Sequence, residues 1–144
     1  MIRKATRYDK EEIVRLMKLF REESPVREVY EDDNQEYWNA FLDNILAGAG
    51  AIFLEEGKGL LLSAVIPSIW NSKVLVLHEL AWYVAKEYRG GTTGYKLLKA
   101  YIEYAKQLKD SGRVRYFTVS KMVSSPDIDY ARFGFRKIDE NWIQ

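Results

Sequence analysis

The sequence predicts one α+β or α/β domain, in which helices cover both faces of a mixed β-sheet. Its 144 residues suit a single domain that buries roughly two thirds of the surface that its unfolded chain exposes. Apolar runs of strand character alternate with helical segments. Within residues 74–119 an apolar run, a glycine-rich turn, an amphipathic helix and a second apolar run follow one another. This order predicts a βαβ unit with one parallel strand pair.

The first third of the chain predicts a short strand and two helices. The strand covers residues 2–5, and Asp9 with Glu12 is interpreted as a capping pair for the helix that follows. Apolar residues at 13, 16, 17 and 20 predict a one-sided helix ending near residues 24–25. Aromatic and aliphatic side chains at helical intervals predict a second helix that begins at Asp33 and closes at Gly48.

The remainder of the chain predicts a hairpin, the βαβ unit and a short terminal section. Residues 51–54 and 60–66 are predicted strands around a turn at 56–59. The βαβ unit consists of a strand at 74–84, a helix that stops at 111–112 and a strand at 114–119. A short helix at 127–132 and a strand ending at Ile143 are predicted to complete the fold.

The composition excludes several classes of site. There is no cysteine and one histidine, His78, which argues against disulfides, a cysteine nucleophile and a metal centre. No apolar leader or membrane-length run is present, so a cytoplasmic protein that does not bind membranes is expected. The 22 basic and 21 acidic residues argue against general nucleic-acid binding. One alternative remains, an RNA-docking patch, and its residues would be Lys109, Arg113, Arg115 and Lys121.

The glycine-rich turn before the third helix predicts an anion site. Gly90, Gly91 and Gly94 have no Cβ, so several backbone N–H groups can point at one ligand. The N-terminus of the helix adds a partial positive charge. A Walker loop is excluded because Leu97 follows Lys96 where that motif needs Ser or Thr. A dinucleotide fingerprint fits poorly, since this turn lies past the middle of the chain.

Three segments in order, residues 2–9, 84–98 and 130–135, resemble the signatures of the GNAT superfamily of acyl-CoA-dependent N-acyltransferases. The family pattern is Arg or Gln, two residues, Gly, one residue, then Gly or Ala. Arg89 and Gly94 match it, and Thr92 stands in the place of the middle glycine. We interpret Thr92 as a helix cap that also donates to a phosphate oxygen. The resemblance implies a GNAT-like domain over residues 1–144, with about six strands, splayed central parallel strands and a shortened C-terminal strand region.

The resemblance also implies acetyl-CoA as co-substrate and an acetyl group that is transferred directly to an amine. Pantetheine would contact Trp82, Tyr83 and Val84. The pyrophosphate would be held by the turn and the first residues of the helix, namely Arg89, Gly90, Gly91, Thr92, Thr93, Gly94 and Tyr95. Because an amine attacks only when it is unprotonated, a proton acceptor is also required.

Two neighbouring residues on the strand before the turn are candidates for that acceptor, Glu79 and His78, and a water relay is a third route. Alternation from Val84 in steps of two puts His78 on the face of Val84 and Glu79 on the other, although a bulge would exchange them. Tyr130 matches the family position of the acid that protonates the leaving thiolate.

The acceptor is expected to be an amine-bearing small molecule or protein. Acidic residues crowd the link between the first two helices and would favour a cationic amine; they are Glu28, Glu31, Asp32, Asp33 and Glu36. Nine residues follow Phe135, which predicts either a smaller sheet or a homodimer in which a second copy covers the open edge. A GNAT-fold binding or assembly module with little catalysis is the alternative function.

Overall fold

The computed structural model describes residues 1–26, 28 and 32–144. The strands are β1 (Arg3–Lys4), β2 (Gly50–Glu55), β3 (Gly59–Pro67), β4 (Leu75–Val84) and β5 (Phe117–Thr118). The α-helices are α1 (Lys10–Glu23), α2 (Gln35–Leu46) and α3 (Thr93–Asp110), and short 3₁₀ helices cover Arg7–Asp9, Lys86–Tyr88 and Tyr130–Phe133. No helix among the described residues is both long enough and apolar enough to cross a membrane.

The five described strands form one mixed sheet in the order β1-β2-β3-β4-β5. Each pair is antiparallel except β4 and β5, which are parallel. The predicted hairpin and the βαβ unit are therefore confirmed. Because β5 is the last strand in the order, the parallel pair lies at one edge of the sheet and not at its centre.

Helices pack on both faces of the sheet and divide the core into two clusters. On one face, apolar residues of α1 and α2, such as Leu16 and Leu42, pack against Leu62 of β3. On the other face, Leu98 and Tyr101 of α3 pack against the sheet. The helices show the one-sided apolar spacing that their sequences predict, and this spacing places them on the sheet.

The predicted capping pair of α1 is wrong. The side chain of Asp9 makes no cap hydrogen bond to α1. It accepts instead from the backbone N–H of Thr6 at 2.8 Å and from the guanidinium of Arg3. Glu12 accepts from Arg15 and from the N–H of Gly57. The two carboxylates therefore tie α1 to β1 and to the hairpin turn.

The C-terminal section departs furthest from the sequence prediction. Of residues 114–119, only Phe117–Thr118 form a strand. The predicted helix at 127–132 is a single 3₁₀ turn at Tyr130–Phe133, which ends where Gly134 adopts a φ of +90°. Residues 136–144, all of which are described, form no strand. Their large apolar side chains are exposed, Trp142 to 84%, so no buried apolar face is available to hold them on the sheet.

Candidate active site

A row of backbone N–H groups with no partner marks the turn between β4 and α3. Among the described residues, none of the six N–H groups from Gly90 to Tyr95 donates a hydrogen bond. Gly90 has a φ of +86°, a conformation that side chains disfavour. Three of these N–H groups open α3, where the helix dipole adds positive potential. The turn has the donors and the charge that an anion needs.

Thr92 occupies the N-cap position of α3, but its side chain makes no cap hydrogen bond, so the predicted capping role is wrong. Its backbone φ of −102° and ψ of −5° are close to helical, whereas a capping residue is normally extended. The exposed hydroxyl of Thr92 has no partner among the described residues. It is free to reach a ligand.

The side chain of Arg89, at the start of the turn, contacts β4 and α1. Its Nε donates to the carbonyl of Val84 at 2.9 Å, and its guanidinium pairs with Glu23 at 2.8 Å. The guanidinium also lies 5.5 Å from the centre of the Tyr83 ring. Tyr83 donates its hydroxyl to the same carboxylate of Glu23. The side chain of Arg89 thus joins the end of α1 to the end of β4, and its contact with a pyrophosphate stays a prediction.

A buried polar pair anchors the start of α3. Thr93 donates its hydroxyl to Glu55 at 2.6 Å, and both residues are only 6% exposed. That hydrogen bond is the largest of the effects that lower the pKa of Glu55. Glu55 ends β2, so this hydrogen bond ties the first turn of α3 to the sheet.

A bulge in β4 determines which catalytic candidate faces α3. In the pairing with β3, Ala81 lies opposite Leu62 and Glu79 lies opposite Ser63, so Leu80 is an extra residue. Trp82 and Val84 pack against the α3 cluster. With the bulge, Glu79 lies on this same face and His78 on the other. The bulge therefore exchanges the faces that simple alternation predicts for His78 and Glu79.

Glu79 is a buried carboxylate beside the loop that follows β5. It is 5% exposed, and it accepts a hydrogen bond from the backbone N–H of Ser120 at 3.0 Å. Burial raises its pKa to about 7, against the opposing effect of the Ser120 hydrogen bond. At neutral pH this group therefore exists in both protonation states and can accept a proton.

Tyr130 lies on the same side of the sheet as Glu79. Its ring meets Phe135 edge-on with centroids 6.3 Å apart, and Phe135 meets Phe117 in the same way at 5.6 Å. Burial, and secondarily the charge of Glu79, raise the pKa of Tyr130. The phenol therefore keeps its proton at neutral pH.

His78 lies away from this pair. Its Nδ1 is 2.6 Å from the hydroxyl of Thr118, its partner on β5. Burial lowers the pKa of His78, although Asp139 opposes the shift. The imidazole of His78 is therefore neutral at neutral pH and is hydrogen-bonded to Thr118 of β5.

Beyond the bulge, β4 has an open edge. The described pairing with β5 covers Leu77 and His78 alone. From Leu80 to Val84 no described residue pairs with β4 on that side. The predicted pantetheine residues differ in orientation: Trp82 and Val84 face α3, whereas Tyr83 is buried in the opposite cluster. Only the first two can present side chains to a ligand on the α3 face of the sheet.

One of the acidic residues that were predicted to favour a cationic amine, Asp33, forms an ion pair within the protein. Asp33 pairs with Arg21 at 2.5 Å, so it ties the segment before α2 to α1. Glu28, Asp32 and Glu36 are exposed, and Glu31 lies outside the described residues. In the predicted basic patch, Arg113 donates to the carbonyl of Gly48 and Lys121 pairs with Asp127.

Sequence reasoning missed several supporting groups. The N–H of Ser120 leaves no trace in a sequence, because any residue other than proline supplies that donor. Glu55 was detectable as an acid at the end of an apolar strand. Tyr101 was detectable on the buried face of α3, and its hydroxyl donates to the carbonyl of Thr118 at 2.5 Å.

Known proteins share the fold of this chain. The family described as "Acetyltransferase (GNAT) family" matches residues 7–135. A comparison with curated proteins gives no match. A solved structure of a predicted acetyltransferase with acetyl-CoA from Clostridium acetobutylicum is similar, with 19% identity, a TM-score of 0.71 and coverage of all of this chain and 94% of that chain.

Two further solved structures share the fold over the whole of this chain. One is a transcriptional regulator from Bacillus halodurans C-125, with 19% identity, a TM-score of 0.69 and 97% of that chain covered. The other is an aminoglycoside acetyltransferase from an uncultured soil metagenomic sample in complex with trehalose, with 17% identity, a TM-score of 0.60 and 92% covered. At these identities the likeness concerns the fold.

Proposed function

The chain belongs to the acetyltransferase (GNAT) family, and we propose that it transfers an acetyl group from acetyl-CoA to a primary amine of a small molecule or a protein. Its residues 1–144 would act as one domain, and both substrates would be bound together. The observation that carries the proposal is the buried Glu79, which lies beside the β4 bulge on the side of Tyr130 and has a pKa of about 7.

The open edge of β4 and the turn before α3 fit acetyl-CoA. The six N–H groups from Gly90 to Tyr95 offer donors for a diphosphate, and the free hydroxyl of Thr92 adds one more. The unpaired stretch of β4 offers backbone groups to the amides of pantetheine. Trp82 and Val84 provide apolar surface on the same face. Acetyl-CoA supplies a thioester carbonyl that an amine can attack.

Glu79 would act as the general base. A bond forms between the amine nitrogen and the acetyl carbon, the carbon–sulfur bond breaks, and the proton of the amine passes to Glu79 directly or through one water. A base with a pKa near the working pH is best suited to this transfer. We assign the role to Glu79 rather than His78 because His78 lies on the opposite face and contacts Thr118.

Tyr130 would donate the proton that the leaving sulfur takes up. Because burial and the charge of Glu79 raise its pKa, the phenol is protonated at the pH at which Glu79 is ionised. The thiolate is a weaker base than the phenolate of Tyr130, so the hydroxyl would stabilise the leaving sulfur by donating a hydrogen bond while the carbon–sulfur bond breaks. Any proton that it passes to the sulfur would be replaced from solvent.

The acceptor class that we propose is a cationic amine, such as a lysine side chain, a polyamine or an amino sugar. The exposed acids Glu28, Asp32 and Glu36 favour a positively charged partner. The similarity to a structure described as an aminoglycoside acetyltransferase supports the same class.

The test is release of CoA thiol from acetyl-CoA in the presence of a panel of lysine peptides, polyamines and aminoglycosides. We expect turnover with at least one amine and a kcat/KM that rises with pH to a plateau above about 7, because Glu79 must be ionised. Glu79→Gln should lower kcat about 100-fold or more. The exposed Glu11→Gln on α1 is the matched control and should retain full activity.

Two results would contradict the proposal. Full turnover by Glu79→Gln would remove Glu79 from the reaction. If the protein binds acetyl-CoA and transfers acetyl to no amine of the panel, the binding-module alternative would hold instead.

A further inference from the structure

The hydroxyl of Tyr101 lies where the pairing of β4 with β5 ends. Tyr101 belongs to α3 and is fully buried, and its ring meets that of Phe117 edge-on with centroids 6.1 Å apart. The hydroxyl donates to the carbonyl of Thr118 at 2.5 Å. Thr118 and His78 form the last described pair between the two strands. This hydrogen bond therefore joins α3 to the end of the parallel pair.

The carbonyl that Tyr101 binds is next to the peptide group that supplies the partner of Glu79. It belongs to the peptide between Thr118 and Val119, and the N–H of Ser120 belongs to the peptide that follows. That N–H donates to the carboxylate of Glu79 at 3.0 Å. Because each peptide group is planar, only the two backbone dihedrals of Val119 lie between the two groups. Fixing the first peptide therefore restricts the direction of the Ser120 N–H.

The surroundings of Glu79 make this N–H important for its ionised form. Burial is the largest effect on the pKa of Glu79 and raises it, and the hydrogen bond from Ser120 opposes that effect. Two titratable side chains among the described residues interact with Glu79, namely Tyr101 from α3 and Tyr130 from the 3₁₀ helix. Burial, and secondarily the charge of Glu79, raise the pKa of both. The residue opposite on β3 is the uncharged Ser63.

We propose that Tyr101 is a positioning residue for Glu79: its hydroxyl fixes the peptide after Thr118 and thereby holds the N–H of Ser120 on the carboxylate. The inference rests on the proposed role of Glu79 as general base and adds a residue of α3 that controls this base. Tyr101 itself keeps its proton at neutral pH, because burial raises its pKa. Without the hydroxyl, the N–H is released and the ionised carboxylate loses a hydrogen bond.

Tyr101→Phe tests the inference, because it removes the hydroxyl and keeps the ring contact with Phe117. A hydrogen bond to a charged group contributes substantially, so the pKa of Glu79 should rise from about 7 to about 8. Carboxyl ¹³C NMR titration of the full chain measures this pKa, and Glu79→Gln identifies the resonance. The kcat/KM for acetyl transfer should fall about fivefold at pH 7 and recover at higher pH.

Tyr104→Phe is the matched control. Tyr104 lies three residues further along α3, and its ring meets that of Phe53 edge-on with centroids 5.7 Å apart. Burial is the main effect on its pKa, and no hydrogen bond from a described residue contributes to it. Removing this hydroxyl should leave the pKa of Glu79 and the pH profile of kcat/KM at their wild-type values.

Ser120→Pro tests the route between the two side chains. It removes the N–H itself, so it should raise the pKa of Glu79 at least as far as Tyr101→Phe does. Adding Tyr101→Phe to this variant should cause no further rise, because both changes act on one hydrogen bond. A further rise would show that Tyr101 acts by another route and would overturn the inference. If the proline variant does not fold in thermal unfolding, the comparison of Tyr101→Phe with Tyr104→Phe still decides the matter.

The outcomes separate this inference from the proposed function. If Tyr101→Phe leaves the pKa of Glu79 unchanged, or lowers kcat/KM equally at every pH, Tyr101 has only a structural role and the inference is wrong, while acetyl transfer by wild type stands. If the pKa rises as expected but wild type transfers no acetyl group, the proposed function fails. The link from Tyr101 to Glu79 then still holds, because the NMR titration needs no substrate.

Discussion

Glu79 shows how one residue acquires chemistry from its surroundings. In the sequence it is one of 21 acidic residues, with no local feature that predicts a shifted pKa. The fold removes it from water and offers the N–H of Ser120 as a partner. Burial dominates, so the pKa rises to about 7. A buried group with a strongly shifted pKa is a catalytic candidate on physical grounds.

The raised pKa of Glu79 predicts a pH-dependent cost to stability. Below its ordinary pKa of 4.5 the group is protonated in both states, and above about 7 it is ionised in both. Between these values the unfolded chain releases its proton first, so the free energy of unfolding falls with rising pH. The total loss is about 3 kcal/mol. Glu79→Gln lacks this loss.

Denaturant unfolding of wild type and Glu79→Gln at about pH 4 and about pH 8 measures this cost. The stability of the variant relative to wild type should increase by about 3 kcal/mol over that interval. A difference that does not change with pH would show that Glu79 titrates normally, and its assignment as a poised base would fail.

Tyr130 tests the leaving-group side of the reaction. Tyr130→Phe removes one hydroxyl and keeps the ring contact with Phe135, so the fold should be preserved. We expect kcat to fall at least about tenfold while the affinity for acetyl-CoA barely changes. Steady-state kinetics and calorimetry provide the two quantities, and an unchanged kcat would exclude Tyr130 from proton transfer.

At the scale of elements, the strand, turn and helix around the glycines show best what neighbouring residues can predict. The sequence predicts a strand at 74–84, then a glycine-rich turn and a helix, and the structure has β4 and α3 on either side of that turn. Hydrophobic periodicity and helix stop signals are local properties, which is why they succeeded. The side-chain partners of the turn are distant in sequence: Arg89 reaches Glu23, and Thr93 reaches Glu55. No local pattern specifies such pairs.

Two neighbouring threonines at the start of α3 are predicted to have different roles, Thr93 in stability and Thr92 in CoA binding. Thr93→Val deletes a buried hydroxyl that donates to Glu55, so the free energy of unfolding should fall by about 1–3 kcal/mol. Thr92→Val deletes an exposed hydroxyl with no cap bond and should leave stability unchanged. If Thr92 donates to a phosphate oxygen, the second variant weakens CoA binding. Thermal unfolding measures the stability of both variants, and calorimetry measures their affinity for CoA. Equal losses of stability in the two variants would contradict the separate roles of Thr92 and Thr93.

At the scale of the whole molecule, one sheet lies between the two helical layers, and its parallel pair leaves β4 unpaired from Leu80 to Val84 among the described residues. The turn, Glu79 and Tyr130 come from separate parts of the chain, and Glu79 and Tyr130 lie on the α3 face of the sheet. The expected C-terminal strand is absent from the described residues 136–144. The homodimer that would cover the edge beside β5 stays a prediction.

Binding of acetyl-CoA should stabilise the entire molecule. A ligand at 100 times its dissociation constant adds about 2.7 kcal/mol to the free energy of unfolding when it binds the folded state alone. A thermal shift with CoA and acetyl-CoA measures this effect, with ADP as the control for a diphosphate that lacks pantetheine. No shift with CoA at millimolar concentration would contradict the enzymatic proposal.

The sequence alone determined the order of the elements, the glycine-rich turn before α3 and the family resemblance, because these depend on periodicity, glycine and short motifs that neighbouring residues encode. Tertiary structure alone decided that Glu79 rather than His78 faces α3. A single extra residue, Leu80, reverses the alternation of β4, and the place of a bulge depends on pairing with β3. It also decided the pKa of Glu79, because burial is a property of the packed core and is absent from any local stretch of chain.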